Sequence, residues 1–174
     1  MAGERRSTRG LLTRLWHHRW VGSRRMSATF DDAAFERIES AIANGESRHR
    51  GELRFALEAE LDIYRLWSDG SPRDRALEVF SQQGLWDTEE NTGILIYLLW
   101  ADHAVEIVAD RGAHRCLPEE RWQEFCAGVT TACREGRHVD GVVEAIRAIN
   151  QVLESALPAL PSTQDELPNR SIRL

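Results

Sequence analysis

The hydrophobic positions of this chain follow two periods, and each period marks out its own elements. Residues 51–59, GELRFALEA, alternate, with Leu53, Phe55 and Leu57 on one side and Glu52, Arg54, Ala56 and Glu58 on the other. A period of two predicts a strand with one buried face. Residues 93–100, GILIYLLW, hold no polar side chain except Tyr97. A strand of that kind belongs in the middle of a sheet, with helices packed on both sides. Ala101-Asp102-His103 is short enough for a hairpin turn. Residues 104–109 then return antiparallel, with Val105, Ile107 and Ala109 on one face and Glu106 on the other.

A period near 3.6 predicts four helices. Asp31 or Asp32 caps the first, which runs to about residue 43 on a stripe of Ala34, Ile38, Ala41 and Ile42 and stops at Asn44-Gly45. Ser71-Pro72 opens the second, with Ala76, Leu77, Val79 and Phe80 as its buried face and Gly84 at its end. Pro118 opens the third, with Trp122, Phe125, Cys126, Val129, Ala132 and Cys133 inward and Gly136 as its stop. The fourth spans about 139–157 on Val142, Ile146, Ile149 and Leu153. Between the first strand and the second helix lies a loop with Trp67 and Asp69-Gly70. Strand, helix and strand in succession make a right-handed parallel crossover. With the hairpin added, the sheet is small and mixed, and the class is α/β. Three segments follow: a basic arm at 1–29, a domain at 30–158, and a tail at 159–174 made mobile by Pro161 and Pro168.

Composition and charge narrow the partners. The chain has 174 residues and a net charge of -6, enough length for one core without disulfides. Residues 1–25 carry seven arginines and one glutamate, a charge of +6, which leaves -12 for the rest. A basic arm on an acidic body needs an anionic partner for the arm and argues against nucleic-acid binding by the body. Within residues 10–25, Leu11, Leu12, Leu15, Trp16 and Trp20 share one helical face flanked by Arg14 and Arg19. That pattern suits an anionic membrane surface or a membrane-protein partner. Arg14 and Arg19 also prevent a secretory h-region, and the longest apolar run is too short to cross a bilayer as a helix. Cys116, Cys126 and Cys133 have neither CxxC nor zinc spacing and are expected as buried, reduced thiols. The expected place is the cytoplasm, peripheral at the inner membrane face. His17, His18, His49, His103 and His138 have no metal spacing and are expected in loops or at the surface.

The predicted topology converges on one edge of the sheet. The parallel strands bring their first residues together, and the antiparallel strand brings its last residues to the same place. Glu52, Asp87, Asn91, Asp110 and Arg111 therefore gather there, with Glu89 and Glu90 beside them and His114 in the following loop. Carboxylates with an amide suit a hard cation such as Ca²⁺ or Mg²⁺, which takes oxygen ligands. Arg111 suits a phosphate. The plainer alternative is that these are turn and cap residues, with Asp87-Thr88 as a cap and Asp110 pairing with Arg111 or another arginine.

Gly51-Glu52 at a strand start, LWDTEENTGILIYLL at 85–99, EIVADRG at 106–112, and Asp140-Gly141 in the closing helix resemble the TPM domain family over about residues 30–158. The resemblance implies a three-layer α/β/α sandwich with a small mixed β-sheet. For some members it implies divalent-cation binding and acid-phosphatase-type activity, carried over here by position to Glu52, Asp87, Asn91 and Asp110. Many members are exported or membrane-anchored, and Asn91-Thr92-Gly93 replaces the adjacent Asn-Gly of other branches. Two functions are therefore expected in competition. One is a divalent-cation-binding interaction module at the cytoplasmic membrane face, in envelope and membrane-protein maintenance. The other is a metal-dependent phosphomonoester hydrolase, with Asp110 and Arg111 as its catalytic candidates.

Overall fold

The structure is a computed structural model that describes residues 22–61, 70–160 and 170–174. The membrane-facing side chains expected at Leu11, Leu12, Leu15, Trp16 and Trp20 lie outside the described residues, as do the loop around Trp67 and positions 161–169 of the expected tail. In chain order the elements are α1 (Gly22–Thr29), α2 (Asp32–Glu46), β1 (Glu52–Glu58), α3 (Pro72–Gln82), β2 (Gly93–Leu99), β3 (Ala104–Ala109), α4 (Arg111–His114), α5 (Glu119–Arg134), α6 (His138–Ala156) and β4 (Ile172–Arg173). No described helix is long and apolar enough to cross a membrane.

The sheet order is β3-β2-β1-β4. β1 and β2 are parallel in register Glu52 to Gly93, and β2 and β3 are antiparallel in register Ile96 to Ile107. This is the mixed sheet expected, with helices on both faces. On one face Leu53, Phe55, Leu57, Ile94, Ile96 and Leu98 pack with α1, α2, α5 and α6. On the other, Ala56, Leu95, Tyr97 and Leu99 pack with Ala76, Val79 and Phe80 of α3 and with Leu85. The chain has the three-layer α/β/α arrangement, and β2 is its middle strand.

The caps follow the sequence. The Asp31 carboxylate accepts the Ala34 N–H at 2.9 Å. Ser71 and Asp74 form a reciprocal capping box around Pro72, which satisfies N–H groups that the first helical turn leaves without partners.

Several expectations are corrected. β1 is buried on both faces, not one. Its polar side is covered by α3 and is hydrogen-bonded: the Arg54 guanidinium donates to Gln83 Oε1 at 3.2 Å, and Glu58 accepts from Arg75 at 2.8 Å and from the Tyr97 hydroxyl at 2.7 Å. Leu77 is 46% exposed, because Ala76, Val79 and Phe80 alone span the inward face of α3. The folded part begins before Phe30: α1 places Met26 in the core. The end of the tail is ordered by pairing. Ile172 and Arg173 lie parallel to Ala56 and Leu57, the Arg173 guanidinium donates to Phe30 O at 2.6 Å, and its cation sits 4.7 Å over the Phe35 ring.

α2 does not stop at Asn44-Gly45 but runs through to Glu46. Gly45 is there for close packing, since a Cβ would lie 2.1 Å from the Asn150 side chain of α6. Asn150 in turn explains His49, which is 1% exposed rather than a surface residue. His49 Nδ1 accepts the Gly51 N–H at 3.2 Å, so the ring proton sits on Nε2, 3.0 Å from Asn150 Oδ1. Asn150 Nδ2 donates to Ala41 O at 2.9 Å. Every polar atom of this buried set has a partner only when the imidazole is neutral.

The three cysteines form no disulfide. Cys133 is buried, and Cys116 and Cys126 are half-buried. Burial raises all three thiol pKa values, that of Cys126 to about 11, which keeps them in the unreactive protonated form.

Two outcomes test this packing. Ile96→Ala should lower the unfolding free energy by about 2–5 kcal/mol in urea denaturation, because Ile96 is fully buried in the middle strand. A loss well under about 1 kcal/mol would mean β2 is peripheral. Burial, partly offset by the Asn150 hydrogen bond, holds the His49 pKa below its ordinary 6.5. The unfolded chain therefore binds the extra proton first. Stability should be at its full value above about pH 6.5 and should fall as pH drops from there toward the folded-state value. NMR titration of the His49 ring should give a folded pKa below the ordinary value; a ring that titrates at or above it would contradict the neutral network.

Candidate functional site

The convergence expected at the sheet edge is present, and it is built mainly from backbone. Asn91 has φ 58, a left-handed conformation that turns the chain into β2. Its carbonyl oxygen accepts the N–H groups of Gly112 at 2.7 Å and Ala113 at 3.3 Å. Gly112 is required by this approach, since a Cβ would meet Glu90 O at 2.2 Å. The Asp110 N–H donates to Gly93 O at 2.8 Å, continuing the β2–β3 ladder, and the Glu52 N–H donates to Thr92 O at 3.2 Å. Turns 84–92 and 110–114 are thereby locked together across the ends of the strands.

Side chains tighten the same junction. Asp110 Oδ1 accepts the Arg111 N–H at 2.7 Å as the cap of α4. The Arg111 guanidinium donates to Asn91 Oδ1 at 3.2 Å. Sequence reasoning missed two threonines that hold this loop. Thr88 Oγ1 accepts the Thr92 N–H at 2.9 Å, and the Thr92 hydroxyl donates to Arg50 O at 2.8 Å. It also missed Arg50, which pairs with Glu90 and donates to Pro158 O at 3.1 Å. The four-residue spacing of the threonines was the one available signal.

The predicted site residues thus divide. Asn91, Asp110 and Arg111 come together directly. Asp87 is exposed on the same turn as Asn91. Glu52 opens β1 beside them but is only 5% exposed, so its carboxylate is not presented at the surface with Asp87. His114 turns elsewhere: its Nε2 lies 3.7 Å from Glu119, and its ring stacks over Trp122 at 6.5 Å.

Whether a divalent ion fits here depends on the donors. Asp110, Asn91 and Asp87 offer oxygen, the right kind of ligand for Ca²⁺ or Mg²⁺. In number they are few, and among the described residues no three of His, Cys, Asp and Glu are grouped to hold a metal. The Arg111 guanidinium occupies Asn91 Oδ1, so an ion using that oxygen must displace a cation. The fit is one of kind, with most coordination positions left to water.

With that geometry in place, the comparisons fix the family. Residues 24–152 match the TPM domain, and the chain belongs to that family. The structure is similar to that of the BA42 protein of the psychrophilic bacterium Bizionia argentinensis, at 26% identity and a TM-score of 0.69, over 82% of this chain and 93% of that one. It shares its fold with the N-terminal domain of a P. gingivalis protein, at 21% identity and a TM-score of 0.61, over 73% and 78% of the two chains. No curated protein matches the chain.

The junction makes its own prediction. Gly112→Ala should lower stability by about 1–3 kcal/mol, the usual cost of forcing atoms into an occupied space. In an amide NMR spectrum the largest shifts should fall in both turns, 88–92 and 110–114. Shifts confined to 110–114 would mean that the turns are not locked.

Proposed function

We propose that this TPM domain is a non-catalytic interaction module at the cytoplasmic membrane face, serving envelope and membrane-protein maintenance, and that its loop junction takes up Ca²⁺ or Mg²⁺. The observation that carries the ion-binding part is the backbone lock between Asn91 and Gly112, which joins the turns of Asp87 and Asp110 into one surface. Two turns fixed in this way present their oxygens with little ordering cost. The membrane part rests on the +6 charge and apolar face of residues 1–25.

A second function is favoured by one residue. Arg111 is exposed and reaches across both turns, as a phosphate-holding arginine would. On that view the domain hydrolyses phosphomonoesters: Arg111 holds the phosphoryl oxygens, Asp110 lies beside them, and the ion, when bound, supplies Lewis-acid charge.

Arg111→Ala separates the two. In an interaction module it removes a cation that competes for Asn91 Oδ1, so Ca²⁺ or Mg²⁺ should bind more tightly in calorimetry, by up to about tenfold. In a hydrolase it should abolish phosphomonoester turnover, as should Asp110→Asn. Asp87→Asn should weaken ion binding under either function. If millimolar Ca²⁺ and Mg²⁺ shift no amide in 86–92 or 109–114, the ion site is lost under both.

A further inference from the structure

We propose that the cleft at the carboxyl end of β2 binds a small phosphate-bearing anion, gripped by Arg25 and Arg134 with His103 and His138. This end of the sheet is opposite the loop junction, and the inference does not rest on the function proposed above.

The cleft measures about 610 Å³ and is lined by Arg25, Thr29, Trp100, His103, Arg134 and His138, among others. That is within the usual size for a small-molecule site. Among the described residues no Asp or Glu lines it, although the chain as a whole carries -6. Arg25 comes from α1, Arg134 from the last turn of α5, His103 from the β2–β3 turn and His138 from the start of α6, so four elements bring basic groups to one place. Both arginines are exposed, and neither has an ion-pair partner among the described residues. Arginine recognises phosphate bidentately through its planar fork.

The larger groove between α2 and α6 shows the contrast. It also holds three arginines, but Arg37 is paired with Asp140 at 2.6 Å and Arg48 with Glu154 at 3.0 Å, and Glu36 lines the same space as the third, Arg147. Its charge is answered within the chain. Among the described residues, that of the β2 cleft is not.

His138 adds a second, separate observation. Its Nδ1 is enclosed and makes no well-aligned hydrogen bond, the Gly136 backbone being its one weak contact among the described residues. Its ring lies 4.8 Å from that of Trp100, whose ring is also 6.1 Å from His103. Burial holds the His138 pKa below 6.5, partly offset by the Gly136 backbone hydrogen bond and helped by the nearby His103. Among the described residues, the titratable groups that line the cleft with it are Arg25, Arg134, His103 and the Cys133 thiol, all cationic or neutral. A bound anion would supply the missing countercharge and favour the imidazolium. The position also obeys a general tendency of α/β sheets, in which ligands lie outside the carboxyl ends of parallel strands.

The test uses the full chain at about pH 6.5 and constant ionic strength. Inorganic phosphate and glycerol 3-phosphate are titrated separately against sodium chloride, with amide and histidine-ring NMR as the readouts. Expected are saturable shifts at His103, Arg134, Gly136 and His138 with either phosphate compound, a rise in the His138 pKa, and no shift at Asn91 or Arg111. The tighter of the two compounds identifies the free ion or the ester as the natural source. The double change Arg25→Gln and Arg134→Gln should weaken binding about tenfold or more. The thermal midpoint should be unchanged, because both side chains are exposed and without ion pairs among the described residues. Shifts that fail to saturate, that chloride reproduces, or that survive the double change would overturn the proposal.

Discussion

Everything in this fold depends on β2 having no exposed face. Its seven residues are all buried, so it must have a strand on each side and a helical layer above and below. Burial of that strand sets a second condition. Tyr97 is the one polar side chain in it, and a buried hydroxyl without a partner costs roughly 1–3 kcal/mol. The hydroxyl meets Glu58 of β1, and Glu58 needs a cation in turn because a buried carboxylate alone is costlier still. Arg75 of α3 supplies it and also reaches Glu78 at the surface. One hydroxyl in an apolar strand thus explains why β1 keeps a charged residue on its covered face and why α3 presents an arginine inward.

The same register accounts for the residues of the loop junction. β1 and β2 start opposite each other and β3 ends beside them, so the turns before β2 and after β3 must share one small space. Asn91 takes a left-handed turn, Gly112 leaves room for its neighbour's carbonyl, and Asp110 caps α4. Each of these serves the closing of the sheet edge before it serves any ligand. Turn and cap roles for Asp110 and Asn91 do not compete with a binding role, since they fix the positions from which one would act. What they do restrict is the number of free oxygens, and that is why Asp87 and Arg111, the more exposed members, carry the chemical weight of the proposals.

Local patterns in the sequence were enough for β2, β3, the hairpin between them, the Ser71 cap and the meeting of Asn91 with Asp110 and Arg111. Each of those depends on periodicity or on turn chemistry within a few residues. What the pattern hid depends on partners far along the chain. Alternation in β1 correctly separated its two faces but could not reveal that α3 covers the charged one. Gly45 looks like a helix stop, and only Asn150, over a hundred residues later, turns it into a packing site. His49 looks like a surface histidine for the same reason. Ile172 and Arg173 follow a proline-containing stretch and offer too short a run to register as a strand. They are held by Leu57, Phe30 and Phe35. Glu52 was placed correctly at the sheet edge, but period alone does not distinguish a carboxylate at the rim from one beneath it.

The two ends of the sheet carry opposite charge, and the distance between them decides how they relate. Asp87, Glu90 and Asp110 sit at one end, and Arg25, His103, Arg134 and His138 at the other. A strand of seven residues is about 23 Å long, whereas charges in physiological salt are screened over about 8 Å. An ion bound at the loop junction, as proposed, would therefore have little direct electrostatic effect on an anion in the cleft. Any coupling would have to pass through β2 itself, which is packed on every side and has no second arrangement to adopt without opening both cores. The two proposed sites would therefore fill independently, so that loss of binding at one end leaves the other to be judged on its own residues.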